Sequence, residues 1–592
     1  VSASACLREL PAMTMFDWLI VILLNGSIIA YGIYLSRGLQ TSADWFLAGR
    51  SLPWWLVGLS MYATAIDSSD LVADSGGTYT LGLSYFVTNW VGTIGGWAVA
   101  AFVVLPVIYR AGMYTNAEYL EARFSPAVRV ICALIQVQYR TLVLAIISTT
   151  LYLLLSIVCG WGEATWWAVA AIAALATVYT ALGGLRSVAI TDSLQFAVMT
   201  VAALIIWGLV WSHVGGWEGI TRRLTDHEAG LADQLLHAGH DNISREDVSD
   251  ASPELIHRKL LTGGSYDAQT GVIIRRTPAW LTALAFLIVG MAYSVVNHTQ
   301  AMRMIAARSE WDMKMSVCIA GAAMLIMSFF NLTMGVMGRA LFPDASLLPQ
   351  QRTDSIYPHL VSQFAESGLT GIVVAGVLAA SFSTFDSMGS TLSALLTRDV
   401  YARLFVRDRG DHHYMRVAQW LTPAIIGGSF LYVPFLEGGM LLFYIELTSA
   451  FVTPLLTLFL MGALTRVHRR AGLIGILCGA GYGALRLLAG PIAERWGVAI
   501  LPSLMVNPFA AYGWSILTTA STMVLFSLFA GWEPRGELFH EEQPGWLRSS
   551  QLALRQLDSA ARPRAPVSFL LPTVLACIVV AAGCALSFVV FW

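Results

Sequence analysis

About fourteen stretches of roughly twenty or more apolar residues, parted by short polar breaks, constrain this chain more than any other feature of its sequence. A helix of about 20 residues spans roughly 30 Å of hydrocarbon, and a backbone in lipid must satisfy its own hydrogen bonds, so each run predicts a transmembrane helix. The runs fall at about 16–36, 53–82, 83–109, 127–158, 165–181, 187–213, 279–305, 311–342, 370–404, 415–435, 438–462, 469–489, 507–531 and 567–591. Only 12% of the 592 residues are charged, against about 25% in soluble domains, so a soluble reading fails. The first run lacks a basic flank and a small-residue cleavage site and is too long for a signal-peptide core, so it is expected to stay as a helix.

Several function classes fall away at once. A net charge of −2 offers no basic surface for nucleic acid. Seven cysteines without a CxxC pair exclude a disulfide framework or a zinc site and read as packing residues. No HExxH, nucleophile elbow or P-loop occurs in the membrane runs, so the chain is not expected to be an enzyme. Its expected partners are the lipid bilayer and a small solute.

Basic residues choose the orientation. Alternate loops hold Arg37 and Arg50; Arg110, Arg123 and Arg129; Arg186; Arg303, Arg308 and Lys314; Arg398, Arg403, Arg407, Arg409 and Arg416; Arg466, Arg469 and Arg470; and Arg535 to Arg564. With these loops cytoplasmic, the protein is a multi-pass protein of the cell membrane (plasma or inner membrane) with both termini outside. The polar segment 214–278 is then an extracellular loop, and 533–566 a cytoplasmic connector. His237, His240 and Asp241 in the outer segment, and His412 and His413 beside Asp411, read as solvated loop residues and not as metal ligands.

A charge at the bilayer centre costs at least about 2.5–3.5 kcal/mol on insertion scales, which makes each ionisable residue within a span a functional candidate. These are Asp67, Asp70, Asp74, Arg140, Asp192, Asp386 and Glu446. For Arg140 the simplest reading is an ion pair with a helix-buried aspartate. The second span sets small and polar residues, Ser60 to Asp70, where an uninterrupted helix favours Leu and Val. An unwound span there exposes main-chain carbonyls, which are suitable ligands for a hard cation such as Na+. The ninth span adds hydroxyls at Ser383 and Thr384, with Ser387 one turn beyond Ser383 on the same face. Polar seams between packed helices explain both stretches equally well.

At Ala43-Asp44-Trp45-Phe46-Leu47-Ala48-Gly49-Arg50, at Gly183 to Gln195, and at Thr397-Arg398-Asp399-Val400-Tyr401, the chain resembles the sodium/solute symporters, the sodium–sugar and sodium–proline type. The resemblance runs from about Phe16 to Gly462. It implies an all-α integral membrane protein with a five-plus-five inverted-repeat (LeuT-type) core, one leading helix and three trailing ones. The leading segment is then 1–36, the repeats 53–213 and 279–462, and the trailing part 463–592. It further implies a sodium site of the main-chain carbonyls of Ala63, Ile66 and Ala380 and the hydroxyls of Ser383 and Thr384, with Asp192 beside it. Tyr293, four residues before Asn297, resembles the aromatic that gates the solute pocket of the sugar carriers.

The sugar contacts of sodium–galactose carriers are missing: Ala323 and Ile445 stand where those carriers have lysine and glutamine, and Asn89 where they have glutamate. A different polar pocket from Ser69, Asp70, Asn89, Tyr293, Asn297 and Glu446 is expected instead. The resulting expectation is a sodium-coupled symporter importing a small organic solute by alternating access. The competing readings are a proton-coupled symporter of the same fold and a transporter-like sensor.

Overall fold

The computed structural model of the protein describes residues 13–35, 41–227, 231–237, 242–247, 264–267, 272–345, 348–436, 440–496, 498, 500–534, 539, 543–560 and 568–592. A leading helix, α1 (Met15–Leu35), is followed by α2 (Trp54–Ala65), α3 (Ser68–Leu81), α4 (Thr88–Arg110), α5 (Asn116–Arg123), α6 (Pro126–Cys159) and α7 (Thr165–Val214). A second set comprises α8 (Ala279–Val296), α9 (His298–Ile305), α10 (Glu310–Leu341), α11 (Leu369–Phe405), α12 (Asp411–Ser429) and α13 (Phe443–Leu464). Then come α14 (Ala471–Trp496), α15 (Ala510–Ala530), α16 (Gly545–Ala560) and α17 (Leu570–Val590).

Twelve helices among the described residues are long and apolar enough to cross a membrane. Two more elements complete the fourteen expected. Helices α2 and α3, 12 and 14 residues long, are each too short to span and together take up one crossing. Helix α12 opens on Asp411, His412, His413 and Arg416, which lowers its apolar content. The predicted helices 165–181 and 187–213 are both found in α7, joined at Gly184, whose φ of 58° suits a residue without Cβ.

The second predicted span is interrupted because a helix-start signal lies in its middle. Ile66 and Asp67 are extended, and Asp67 caps α3: its Oδ1 accepts from Ser69 N at 2.7 Å while Asp70 Oδ2 accepts from Asp67 N at 2.7 Å. The predicted helix 279–305 requires correction, since it too is interrupted. Asn297 leaves the helical region and caps α9, accepting from Thr299 N at 3.0 Å. The freed backbone groups find donors and acceptors on the first half of the chain: Asn116 Nδ2 donates to Val296 O at 2.6 Å, and His298 N donates to Gln136 Oε1 at 2.9 Å. Thus the first crossing of each half is broken near its middle, as expected when two halves are inverted repeats with a site between them.

Helix α8 presses on the first turns of α4 through paired glycines. A Cβ on Gly92 would stand 2.7 Å from Leu287 O, and one on Gly290 would stand 2.5 Å from Thr93 N and closer still to Thr88 O. Gly290→Val is therefore expected to cost about 1–3 kcal/mol by overpacking. A lowered Tm of the detergent-purified protein measures it, and an unchanged Tm would show that the two helices part without cost.

Many arginines counted above as loop charges are not on the surface. Arg123, Arg129, Arg303 and Arg398 are fully buried, and Arg50 nearly so. Arg129 donates to Asp399 Oδ1 and Glu121 Oε2, each at 2.6 Å, and Arg398 to Glu118 Oε1 at 3.0 Å. Arg398 also lies over the rings of Tyr114 and Trp546, tying α16 to this end of the bundle. The segment after α7, read above as a polar loop, holds an amphipathic helix (Gly216–His227) and an antiparallel sheet. Its strands are β1 (Asn242–Asp247), β2 (Gly264–Asp267) and β3 (Val272–Thr277), ordered β1-β3-β2. His240 and Asp241 lie outside the described residues.

Candidate functional site

The break between α2 and α3 leaves the last carbonyls of α2 without helical donors. Asp67 N, which would bond Ala63 O in an unbroken helix, donates to Asp70 instead. Ala63 O is met by α11: Ser383 Oγ lies 3.0 Å from it and donates to Asp192 Oδ1 at 2.7 Å. Next to it on α11, Thr384 Oγ1 is 3.2 Å from Ala380 O, one turn back. Ala63, Ile66, Ala380, Ser383 and Thr384 are all buried. Oxygens that share an ion at about 2.4 Å stand about 3–3.5 Å apart, so the Ser383–Ala63 spacing suits a bare cation held by neutral oxygens.

Asp192 meets this cluster in a way that residue types did not indicate. Its Oδ2 accepts from Ser60 Oγ at 2.5 Å and pairs with the Arg303 guanidinium at 2.9 Å, both residues being fully buried. Arg303 further donates to Ser60 Oγ at 2.8 Å, to Thr299 O at 2.9 Å and to Ser387 Oγ. The expectation that Arg303 is a loop charge is thus corrected: it sits on α9, the second half of the broken crossing, and locks α9 to α2, α7 and α11. It lay inside the predicted helix that ends at 305, and an ionisable residue within a span is itself a signal. Asp192, implied beside the sodium site, pairs with an internal cation and accepts from the Ser383 hydroxyl. Asp386 is likewise engaged, accepting from Tyr179 OH at 2.7 Å and from Ser387 Oγ at 3.0 Å.

Beside the break lies a cavity of about 80 Å³. Of the residues expected to meet solute, Ser69, Asp70, Asn89 and Tyr293 line it, joined by Asp67, Asp74, Thr88, Arg140, Tyr85 and Tyr444. Two expected residues do not. Asn297 is consumed as the cap of α9, and Glu446 lies outside the lining, two residues beyond Tyr444, its carbonyl accepting from Arg486 Nη2 at 3.0 Å. Arg140, expected to pair with a helix-buried aspartate, attracts Asp67 through space without a contact within 4.0 Å. Its guanidinium lies 5.4 Å and 5.6 Å from the ring centroids of Tyr293 and Tyr139.

The family model described as Sodium:solute symporter family matches residues 45–479 of this chain. The chain is 26% identical over 529 residues to the sodium/glucose cotransporter of Vibrio parahaemolyticus, a match covering 85% of this chain and 91% of that protein. It is 26% identical over 484 residues to the human sodium/myo-inositol cotransporter, covering 76% and 63% respectively. A solved structure of a Na+-coupled sialic acid symporter, in a substrate-bound outward-open state, aligns with a TM-score of 0.70 at 19% identity, covering 88% of this chain and 99% of that one. That likeness concerns the fold, and with the two interrupted crossings it identifies the five-plus-five inverted-repeat core.

Proposed function

Because this chain belongs to the sodium:solute symporter family, we propose that it carries a small polar organic solute inward from the cavity beside Asp70, with sodium held between α2 and α11. That it is a multi-pass membrane symporter with sodium as coupling ion follows from the family itself. The finer reading assigns the ion to the carbonyls of Ala63, Ile66 and Ala380 and the hydroxyls of Ser383 and Thr384. The observation that carries it is the 3.0 Å approach of Ser383 Oγ to a carbonyl released by the broken helix.

Sodium in this position braces the broken crossing against α11 and so favours the state in which the neighbouring cavity accepts solute. Coupling is the free-energy difference the ion makes between the two states. One inward charge at 100 mV supplies about 2.3 kcal/mol, enough for roughly fifty-fold accumulation of solute. The two halves, 53–213 and 279–462, move against one another around the site, in a cell membrane with both termini outside. The exposed guanidinium of Arg110 supports that orientation.

Proteoliposomes test this reading. Given a mixed extract of small metabolites and an inward sodium gradient, they are expected to concentrate at least one compound, read by mass spectrometry. Replacing sodium with potassium should abolish the accumulation. Equal accumulation driven by a pH step in sodium-free buffer would overturn sodium coupling in favour of protons.

A further inference from the structure

Asp67, Asp70 and Asp74 sit at i, i+3 and i+7, one face of α3 and its cap, and all three line the cavity. The cap accounts for Asp67 and Asp70, but like charges one turn apart weaken a helix, so local stability does not explain Asp74. The positive N-terminal end of α3 favours the first two carboxylates. Within the cap Asp67 accepts from Ser69 N, Ser69 Oγ and Asp70 N, and Asp70 Oδ2 accepts from Asp67 N, while Asp74 accepts from the Tyr85 hydroxyl. Against these three acids, Arg140 is the one cationic side chain among the described residues that line the cavity. It is 2% exposed, and its Nε has no hydrogen-bond partner. Thr88, 5% exposed, likewise has an unpartnered Oγ1 facing the same space.

A buried donor without an acceptor costs free energy, as does a buried carboxylate without a cation. A neutral polyol answers the first need and leaves the second. An anionic solute adds to the surplus of negative charge. A solute with a protonated amine and several oxygens answers both: its ammonium meets Asp70 and Asp74, and an oxygen accepts from Arg140 Nε. Tyr85 and Tyr444 also line the cavity, and tyrosine rings beside a cation are favourable neighbours.

We propose that the transported solute is a cationic amine on a hydroxylated framework, the chemical class of an amino sugar or an amino cyclitol. This rests on the symporter reading above and narrows it to one charge type. It sets the protein apart from the relatives whose names specify glucose and myo-inositol.

Isosteric pairs test the proposal on the full-length detergent-purified protein in sodium buffer: glucose with glucosamine, galactose with galactosamine, and myo-inositol with an amino-deoxy inositol, bound by isothermal titration. In at least one pair the amine is expected to bind about tenfold or more tighter than its hydroxyl counterpart, as a charge-assisted hydrogen bond requires. Asp70→Asn and Asp74→Asn, each checked for an unchanged elution profile, should bring that ratio toward one. Tighter binding of the neutral member in every pair, a ratio untouched by both variants, or no binding by any amine would overturn it. Sodium-driven uptake of a neutral compound in proteoliposomes would then leave the symporter reading standing, so the two failures are distinguishable.

Discussion

Arg303→Met is expected to destabilise the protein by about 3–5 kcal/mol, because it strands the Asp192 carboxylate in a dry interior. The guanidinium meets acceptors on four sides, at Ser60, Thr299, Asp192 and Ser387, and all of them are buried. Methionine fills much of the same volume but supplies no donor. Arg303→Lys should recover only part of the loss, since a single ammonium cannot reproduce the planar fork that reaches these separate acceptors. The double variant Arg303→Met with Asp192→Leu should be more stable than Arg303→Met alone, because the unpaired charge has gone. Thermal unfolding in detergent, arranged as a double-mutant cycle, reads the coupling. Strictly additive losses would show that the pair does not act as a unit.

The second large effect concerns sodium and separates ligand from scaffold. Ser383 bridges Ala63 O and Asp192, so Ser383→Ala should lower both stability and sodium affinity. Thr384 Oγ1 bonds only to Ala380 O of its own helix, 3.2 Å away, a local contact of small net worth. Thr384→Ala should therefore leave the sodium-free Tm nearly unchanged while reducing sodium affinity tenfold or more. A ligand at 100 times its Kd stabilises by about 2.7 kcal/mol, so the sodium-dependent rise in Tm should shrink visibly in this variant and return in Thr384→Ser. If Thr384→Ala responds to sodium like the unaltered protein, the hydroxyl is not a ligand and the assigned ion site is wrong.

Elements whose cause is local were legible before any coordinates. Span positions follow from the length of apolar runs, and the small and polar residues from Ser60 to Asp70 marked a candidate interruption, which the cap of Asp67 and Asp70 in the structure decides against a plain polar seam. The break at Asn297 carries a signal that run length overlooks, since Asn297-His298-Thr299-Gln300 are four polar residues in a row within the predicted span. Its cost is met from 162 and 180 residues away, by Gln136 and Asn116. Arg303 was read as a surface charge because hydropathy places residues by depth and is blind to partners: its acceptors Asp192 and Ser60 lie 111 and 243 positions away. Glu446 was chosen as an ionisable residue in a span, and only the rotation of α13 decides which of its neighbours faces the cavity.

By itself, then, the sequence determined that this is a membrane protein of about fourteen crossings, which crossing was a candidate to unwind, and which hydroxyls and carboxylates stand near mid-span. Hydrophobic run length, helix capping and the helical repeat all act within a few turns of chain, which is why they can be read without coordinates. Tertiary structure alone decided that Ser383 meets Ala63, that Arg303 neutralises Asp192, and that three acids share a cavity with one arginine. Those outcomes depend on how helices far apart in the chain rotate and pack, and the energy that selects them, pairing buried charge and satisfying buried donors, exists only once the partners have come together.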